Sequence, residues 1–553
     1  VQSDNNQLDD LWERNGTMTE KTMLRVLTAV CCLLALNCWQ SASLAAQDGI
    51  AVHTHQRVHP VLIRNTDNRL LTVEINIPNA VLQLKSLRFD LSGGDDLADL
   101  ASVTMSFQGD KIEFEDHSWT AEDATLSNQL SYTFNDLDLP QGITTIWLTC
   151  QLKPTANLLH KVDASCIQMI TSSGDTKIED DTPDVRKRIG YALRRHMDDN
   201  VHTYRIPALT TTAKGTLLAV YDIRRNQGRD LQEDIDIGLS RSTDGGQTWE
   251  PMQVIMDMGT YGGLPEEQNG CSDPGILVDP KTGKIFCAAV WMWGKPGMHQ
   301  WDGEGSEAGF EIGKAAQFLM VESRSDGRRW SRPRNMTREL KREEWVLFAP
   351  SPQGGIVLKD GTLVMPSQGR DKAGTAFSNI MYSKDHGRSW TVSNPAFVGS
   401  SECQAVQLDD GSLMLNMRTE RSLARLRSVV TTADLGETWT HHATHQKALI
   451  EPNCNGSLLR FDYVENGKAQ HLLIFVNPHS QERRDHHTLK ISFDEGMSWP
   501  EEYHLLLDVG GGAGYPSLTR IDDQHIGLVY EGSQAHVVFE KFSLDELLHR
   551  TKN

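Results

Sequence analysis

One pattern, Ser/Thr-x-Asp-x-Gly-x-x-Trp, returns five times between residues 242 and 499 and restricts what this chain can fold into. It occurs as Ser242-Thr-Asp244-Gly-Gly246-Gln-Thr-Trp249, degenerately as Ser323-Arg-Ser325-Asp326-Gly327-Arg-Arg-Trp330, then as Ser383-Lys-Asp385-His-Gly387-Arg-Ser-Trp390, Thr432-Ala-Asp434-Leu-Gly436-Glu-Thr-Trp439 and Ser492-Phe-Asp494-Glu-Gly496-Met-Ser-Trp499. Each copy has the parts of a hairpin corner: a short Asp that accepts hydrogen bonds from turn amides, a Gly that tolerates positive φ, and a Trp to pack underneath. Asp244, Asp385, Asp434 and Asp494 are therefore read as turn staples, not catalysts. The Trp residues recur about 50 to 80 positions apart, so each interval reads as one four-stranded propeller blade with variable loops. Five corners predict an all-β fold containing a six-bladed β-propeller, one blade lacking the motif.

With 553 residues the chain is too long for one ordinary domain. Its formal charge of -20, with no basic stripe able to neutralise phosphates, argues against nucleic acid as a partner and makes any cluster of arginines noticeable. Near the start, Lys21 and Arg25 precede the apolar run 26–36, and Ser43-Leu44-Ala45-Ala46 supplies a small-residue cleavage site. Residues 1–46 thus read as a leader and export signal, with Met18 or Met23 as candidate starts. The apolar run is too short to cross a bilayer comfortably; an uncleaved anchor is the alternative. A periplasmic or extracellular monomer is expected, with no integral membrane segment after signal removal.

Beyond the leader lie Cys150, Cys166, Cys271, Cys287, Cys403 and Cys454, with no Cys-x-x-Cys spacing to suggest zinc. Cys150 with Cys166 is the first candidate disulfide, buried free thiols the alternative.

Short period-two runs separated by turn residues, such as Leu71-Thr-Val-Glu-Ile-Asn-Ile77 and Thr144-Thr-Ile-Trp-Leu-Thr149, predict a β-sandwich over 47–185. The polar stretch 172–183 places the boundary near Tyr191, and the propeller is expected over 190–553. Strand signals continue to the end, where Ser543 caps a short helix carrying Leu544, Leu547 and Leu548. Trp119 and Trp147 are the aromatic candidates for stacking on a sugar if the sandwich binds carbohydrate; a passive stabilising role is the alternative.

Tyr204-Arg205-Ile206-Pro207 opens the second region and, with the corners downstream, resembles the signature opening of the sialidases. These are glycoside hydrolases that release terminal sialic acid; the resemblance is to the bacterial exo-α-sialidases of glycoside hydrolase family 33, of Bacteroides type with an N-terminal accessory domain. It covers about residues 195–548. Position by position, it implies that Arg205, Arg418 (in Leu413-Met-Leu-Asn-Met-Arg418) and Arg484 form a carboxylate-binding triad, with Arg483 the alternative to Arg484. It implies that Arg224 is a further substrate-binding arginine, and it selects Asp230 over Asp234 and Asp236 as the acid; composition alone would leave that acidic cluster a solvated loop. Ser401-Glu402-Cys-Gln404 and Gly514-Tyr515-Pro-Ser517 resemble the segments carrying the buried glutamate and the nucleophilic tyrosine. Glu531 fits the glutamate that orients the first arginine, and Asp273 is a candidate to line the pocket.

The implied activity is hydrolysis of sialylated glycoconjugates with net retention, using no metal and no cofactor. A non-catalytic sialic-acid-binding propeller and a trans-sialidase are the alternatives. Loops around 291–301 are expected at the pocket rim, setting aglycone preference.

Overall fold

The computed structural model describes residues 49–79, 81–108, 118–122, 126–294, 305–420 and 424–549. The leader expected over 1–46 lies outside them. Alternating patterns in the first region become two sheets, one ordered Glu179–Asp180, Ala51–His55, Asn68–Ile77, Gly142–Leu152, Leu100–Gln108, Ser118–Glu122, the other Gly174–Asp175, Ser165–Thr171, Leu82–Asp90, Gln129–Leu139. Residues such as Val73, Leu84, Phe89, Val103 and Ile146 form a common core between them. Cys150 and Cys166 do not form the expected disulfide; all six described cysteines are buried free thiols. Trp147 is half-buried under Arg69, whose guanidinium carbon lies 3.5 Å from the ring centroid, while the Trp119 side chain falls outside what is described.

Six further sheets follow among the described residues. The first runs Thr203–Thr211, Leu217–Arg224, Ile235–Ser242, Gln253–Met256; later sheets begin at Cys271–Val278, Leu347–Pro350, Ser400–Gln407, Ser457–Glu465 and Pro516–Arg520. Neighbouring sheets touch in sequence order, the third reaching Ser400–Gln407 through Leu363–Arg370, and Pro516–Arg520 returns to Thr203–Thr211, closing a propeller ring. Apolar clusters fill the gaps between neighbouring sheets, as where Val220 and Leu239 meet Ile276, Cys287 and Leu319. The corner motifs close the first five of these sheets, whereas the sixth ends at Ser543, whose side chain caps the helix Leu544–Leu548 through the Glu546 amide.

The corners are stapled as their chemistry requires. Asp244 Oδ1 accepts from the Ser242 hydroxyl (2.8 Å) and the Thr248 amide (3.0 Å), and the Gly246 amide donates to Ser242 Oγ (2.9 Å). In the degenerate copy Ser325 takes the place of Asp, accepting from the Arg329 amide at 2.8 Å. Hydrogen bonds from the Thr438 hydroxyl and amide hold Asp434 down at about 2. Trp249 then packs edge-on against Phe539 of the last sheet, centroids 5.2 Å apart. Gly246 has φ +93°, and an added Cβ would lie 2.1 Å from Phe539 Cε1. Gly246→Ala is expected to cost about 2–4 kcal/mol in urea denaturation, from left-handed backbone strain plus overpacking.

The boundary expected near Tyr191 falls inside a strand. Lys187–Arg194 pairs antiparallel with Val537–Ser543 as a member of the last propeller sheet, and Val61–Ile63, from the N-terminal region, adds to it in parallel. Sequence patterning hid this because Val61–Ile63 looks like any other short apolar strand. Arg194 links this sheet to the first through Tyr221 Oη (2.5 Å) and Ser240 Oγ (2.7 Å).

Lys490, wholly buried in the fifth sheet, donates to Asn477 Oδ1 at 2.7 Å, and burial lowers its ammonium from 10.5 to about 7. Its folded value lies below its unfolded one, so the unfolded chain holds the extra proton between those values. The penalty is full below pH 7 and fades as pH rises toward 10.5. Lys490→Met should therefore stabilise the fold more at pH 6 than at pH 10, by on the order of 3 kcal/mol in denaturation midpoints converted at constant m.

Candidate active site

The starts of the innermost strands carry the site, and three of them are bulged there. Pairing slips between Arg205 and Ala208, between Ser272 and Gly275, and between Ser400 and Cys403. Ile206 and Asp273, each preceding a proline, have φ of 54° and 61°. Such bulges bend a strand and re-aim its side chains, here bringing Arg205, Asp273 and Glu402 to one cavity of about 690 Å³. Asp230, Arg418, Arg484 and Tyr515 join them in its wall.

Tyr515 Oη donates to Glu402 Oε1, and Arg418 Nη1 bridges Glu402 Oε2 (2.8 Å) and Tyr515 Oη (3.1 Å). Burial first, then the Glu402 charge, pushes the Tyr515 phenol well above its usual range, against the pull of Arg418 and Arg484. The Tyr515 ring packs with Ile206 and Cys454. Pro516 opens its strand at the position where a missing N–H is tolerated.

Glu531 lies behind this floor and binds both sides of it. Oε1 accepts from Arg205 Nε and the Ile206 amide, both at 2.7 Å, and Oε2 from the Tyr515 amide at 3.0 Å. Burial alone would raise its carboxyl, but Arg205 and these donors outweigh burial and lower it. Arg484 donates to the carbonyls of Ala513 and Asn453, each at 3.0 Å. Arg483 instead points outward, its side chain 79% exposed and paired with Asp485 at 3.0 Å. Asp273 is raised well above its ordinary value, by burial first and then by the charges of Glu402, Asp222 and Asp230.

Two expectations require correction. Arg224 does not line the cavity; its side chain is 1% exposed, held by Asp222 Oδ2 (2.9 Å), with Nη1 reaching Asp230 Oδ1 at 2.7 Å. Every residue of Leu217–Arg224 is buried, and Arg224 touches the acid rather than the cavity. Trp291, expected near the rim, is fully buried and donates to Asn269 Oδ1 at 2.6 Å; residues 295–304 lie outside the described chain. The cavity is lined in addition by Gln368, Arg370, residues 373–376 and Glu420. Asp234 and Asp236 stay out of the cavity lining, Asp236 bound to Arg225.

Sequence reasoning missed Asp222, Asn453 and Glu420. Asn453, with φ 57°, accepts from Arg418 Nε through Oδ1 (2.8 Å) and from Arg484 through its carbonyl, fixing the spacing of two arginines. Glu420 accepts from the Ser401 hydroxyl at 2.6 Å and lies 3.2 Å from Arg418 Nε. Only Asp222 left a signal: an acid inside an apolar strand, two places before an arginine.

Fold and cavity together define a propeller with arginines and carboxylates gathered in one cavity. The BNR repeat-like domain model matches residues 206–501, and that of the N-terminal domain of BNR-repeat neuraminidase matches 47–175. A sialidase of Bacteroides fragilis is 36% identical over 93% of this chain and 99% of its own. One from Micromonospora viridifaciens is 32% identical over 59% of this chain and 50% of its own. The solved structure of the Hadza microbial sialidase Hz136 superposes with a TM-score of 0.83 at 35% identity, covering 90% of this chain and 100% of that one. The chain belongs to the sialidase family.

Proposed function

We propose that this protein is a retaining exo-α-sialidase that removes terminal α-linked sialic acids from glycoproteins, glycolipids and oligosaccharides through a sialyl-tyrosine intermediate. The observation that carries this reading is the Tyr515–Glu402–Arg418 cluster, a phenol already donating to a carboxylate inside an arginine-lined cavity. Arg205, Arg418 and Arg484 hold the substrate carboxylate, for which planar guanidinium forks are the matching donors.

Sialic acid bears that carboxylate on its anomeric carbon, so a carboxylate nucleophile would approach against like charge; a neutral phenol avoids the repulsion. As Tyr515 Oη bonds to the anomeric carbon, its proton passes to Glu402. The glycosidic bond breaks in the same step, and Asp230 protonates the departing oxygen. Asp230, now a carboxylate, takes a proton from water, whose oxygen attacks the anomeric carbon on the face the aglycone left. The bond to Tyr515 breaks, and Glu402 returns the phenol proton. The steps call on no metal and no cofactor.

Proton NMR during hydrolysis of sialyllactose tests the reading. The α-anomer of free sialic acid should appear first and then mutarotate; β first would overturn the tyrosine mechanism. Binding without release would make this a lectin-like propeller, and an anhydro or transferred sugar a transferase. The leader motif supports export, tested by cell fractionation; action as a monomer is tested by light scattering.

A further inference from the structure

We propose that Asp222 is a positioning residue that governs Asp230 through Arg224 and at the same time fixes Asp273; the inference rests on the reading of Asp230 as the acid. Asp222 is wholly buried in the strand Leu217–Arg224. Its Oδ2 accepts from Arg224 Nη2 (2.9 Å), Arg224 Nε (3.2 Å) and the Ser272 hydroxyl (2.6 Å), and its Oδ1 from the Asp273 amide (3.2 Å). Residues two apart on a strand share a face, so the carboxylate and the guanidinium stand side by side. Arg224 Nη1 extends the chain to Asp230 Oδ1 (2.7 Å) and the Gly228 carbonyl (2.9 Å). A continuous buried link thus runs from the second sheet to a cavity acid that is itself 36% exposed.

Charge gives the link its purpose. A general acid must carry its proton when substrate is bound, yet Arg224 beside Asp230 favours the ionised form. Asp222 shares that guanidinium and offsets part of its field. Arg224, Ser272 and the Asp273 amide bond to Asp222, which also feels the charge of Arg205; Arg224 pairs with Asp230, whose charge also acts on Arg205 and Asp273. Burial raises Asp222 to about 6, against the pull of Arg224, so its full charge is present above that pH.

Asp222→Asn removes the charge that offsets Arg224 at Asp230 and keeps one acceptor oxygen for Arg224 and Ser272, while its amide N–H₂ replaces the oxygen that accepts from the Asp273 amide. The alkaline limb of kcat/KM for sialyllactose should move down by about one pH unit. Activity at pH 7 should fall about tenfold, with a smaller loss for an aryl sialoside whose leaving group needs no acid. Because a lone buried guanidinium threatens folding, the neutral pair Asp222→Asn/Arg224→Gln is the second variant. Its alkaline limb should move up relative to the parent, since the guanidinium bonded to Asp230 is gone and only the Arg205 charge still favours the ionised form. A merely structural role would shift neither limb. Limbs unchanged in both variants, with melting curves like the parent, overturn the inference. Asp230→Asn serves as the reference: equal loss on both substrates there would sink the assignment of Asp230 itself. Unequal loss in Asp230→Asn, with equal loss in Asp222→Asn, would sink only the role of Asp222.

Discussion

Replacing Tyr515 by Phe is expected to lower kcat for sialyllactose by at least about 10³-fold, a barrier increase of about 4 kcal/mol, with little change in melting temperature. The ring stays packed against Ile206 and Cys454, and Glu402 keeps its bond to Arg418 at 2.8 Å, so only the reacting oxygen is lost. Arg205 retains its clamp to Glu531 at 2.7 Å, which leaves the carboxylate site assembled and substrate affinity close to that of the parent. Chromatography of released sialic acid together with equilibrium dialysis checks both halves. Turnover within tenfold of the parent would mean that another group attacks the anomeric carbon.

The second large effect concerns the N-terminal region. A chain beginning at residue 183 loses Val61–Ile63 from the edge of Lys187–Arg194, and with it Leu62 from the core shared by the last two propeller sheets. It also loses the Arg64 bonds to the Ala192 carbonyl (2.6 Å) and Asp198 (3.0 Å), the Lys161–Glu546 pair (2.9 Å), and the sandwich side of a core that contains Tyr204, Tyr221 and Phe539. Exposing the sites of three buried aliphatic side chains costs about 5–9 kcal/mol, comparable with the whole stability of an ordinary domain. The truncated chain is therefore expected to be insoluble or to lose its cooperative melt, as seen by circular dichroism. A soluble truncated protein melting within a few degrees of the full chain would contradict this. The same contacts mean that deleting this region does not isolate a carbohydrate-binding role; single substitutions on its outer sheet face are the cleaner probe.

These contacts mark where sequence reasoning stops. The corners were legible because Ser242, Asp244, Gly246 and Trp249 carry a complete local chemistry within eight residues, and local chemistry is what a sequence displays directly. The sixth sheet shows no corner because its last strand ends in the helix capped by Ser543. The strand Val61–Ile63 could not be assigned, since its partner is more than a hundred residues away and parallel pairing leaves no hairpin signal.

In the site, the cavity groups Arg205, Asp230, Glu402, Arg418 and Tyr515 were named through family resemblance, and their convergence follows from strand starts meeting at a propeller axis. Composition alone would have left Asp230 in a solvated acidic loop. Arg224 was misplaced because resemblance transfers a residue but not its depth; its whole strand is buried, the charged pair Asp222 and Arg224 included. Asn453 left no signal at all, because an Asn with left-handed backbone is an ordinary loop residue and its bond to Arg418 is made across 35 positions.

The central claim, that Tyr515 forms a covalent bond to the sugar, is tested most directly by acid-quenching the enzyme during turnover of an activated aryl sialoside and mapping its peptides by mass spectrometry. The predicted result is a peptide bearing one sialyl group on Tyr515, present during turnover and gone once substrate is exhausted. An adduct on Glu402 or Asp230, or a burst of product with Tyr515 unmodified, would contradict it.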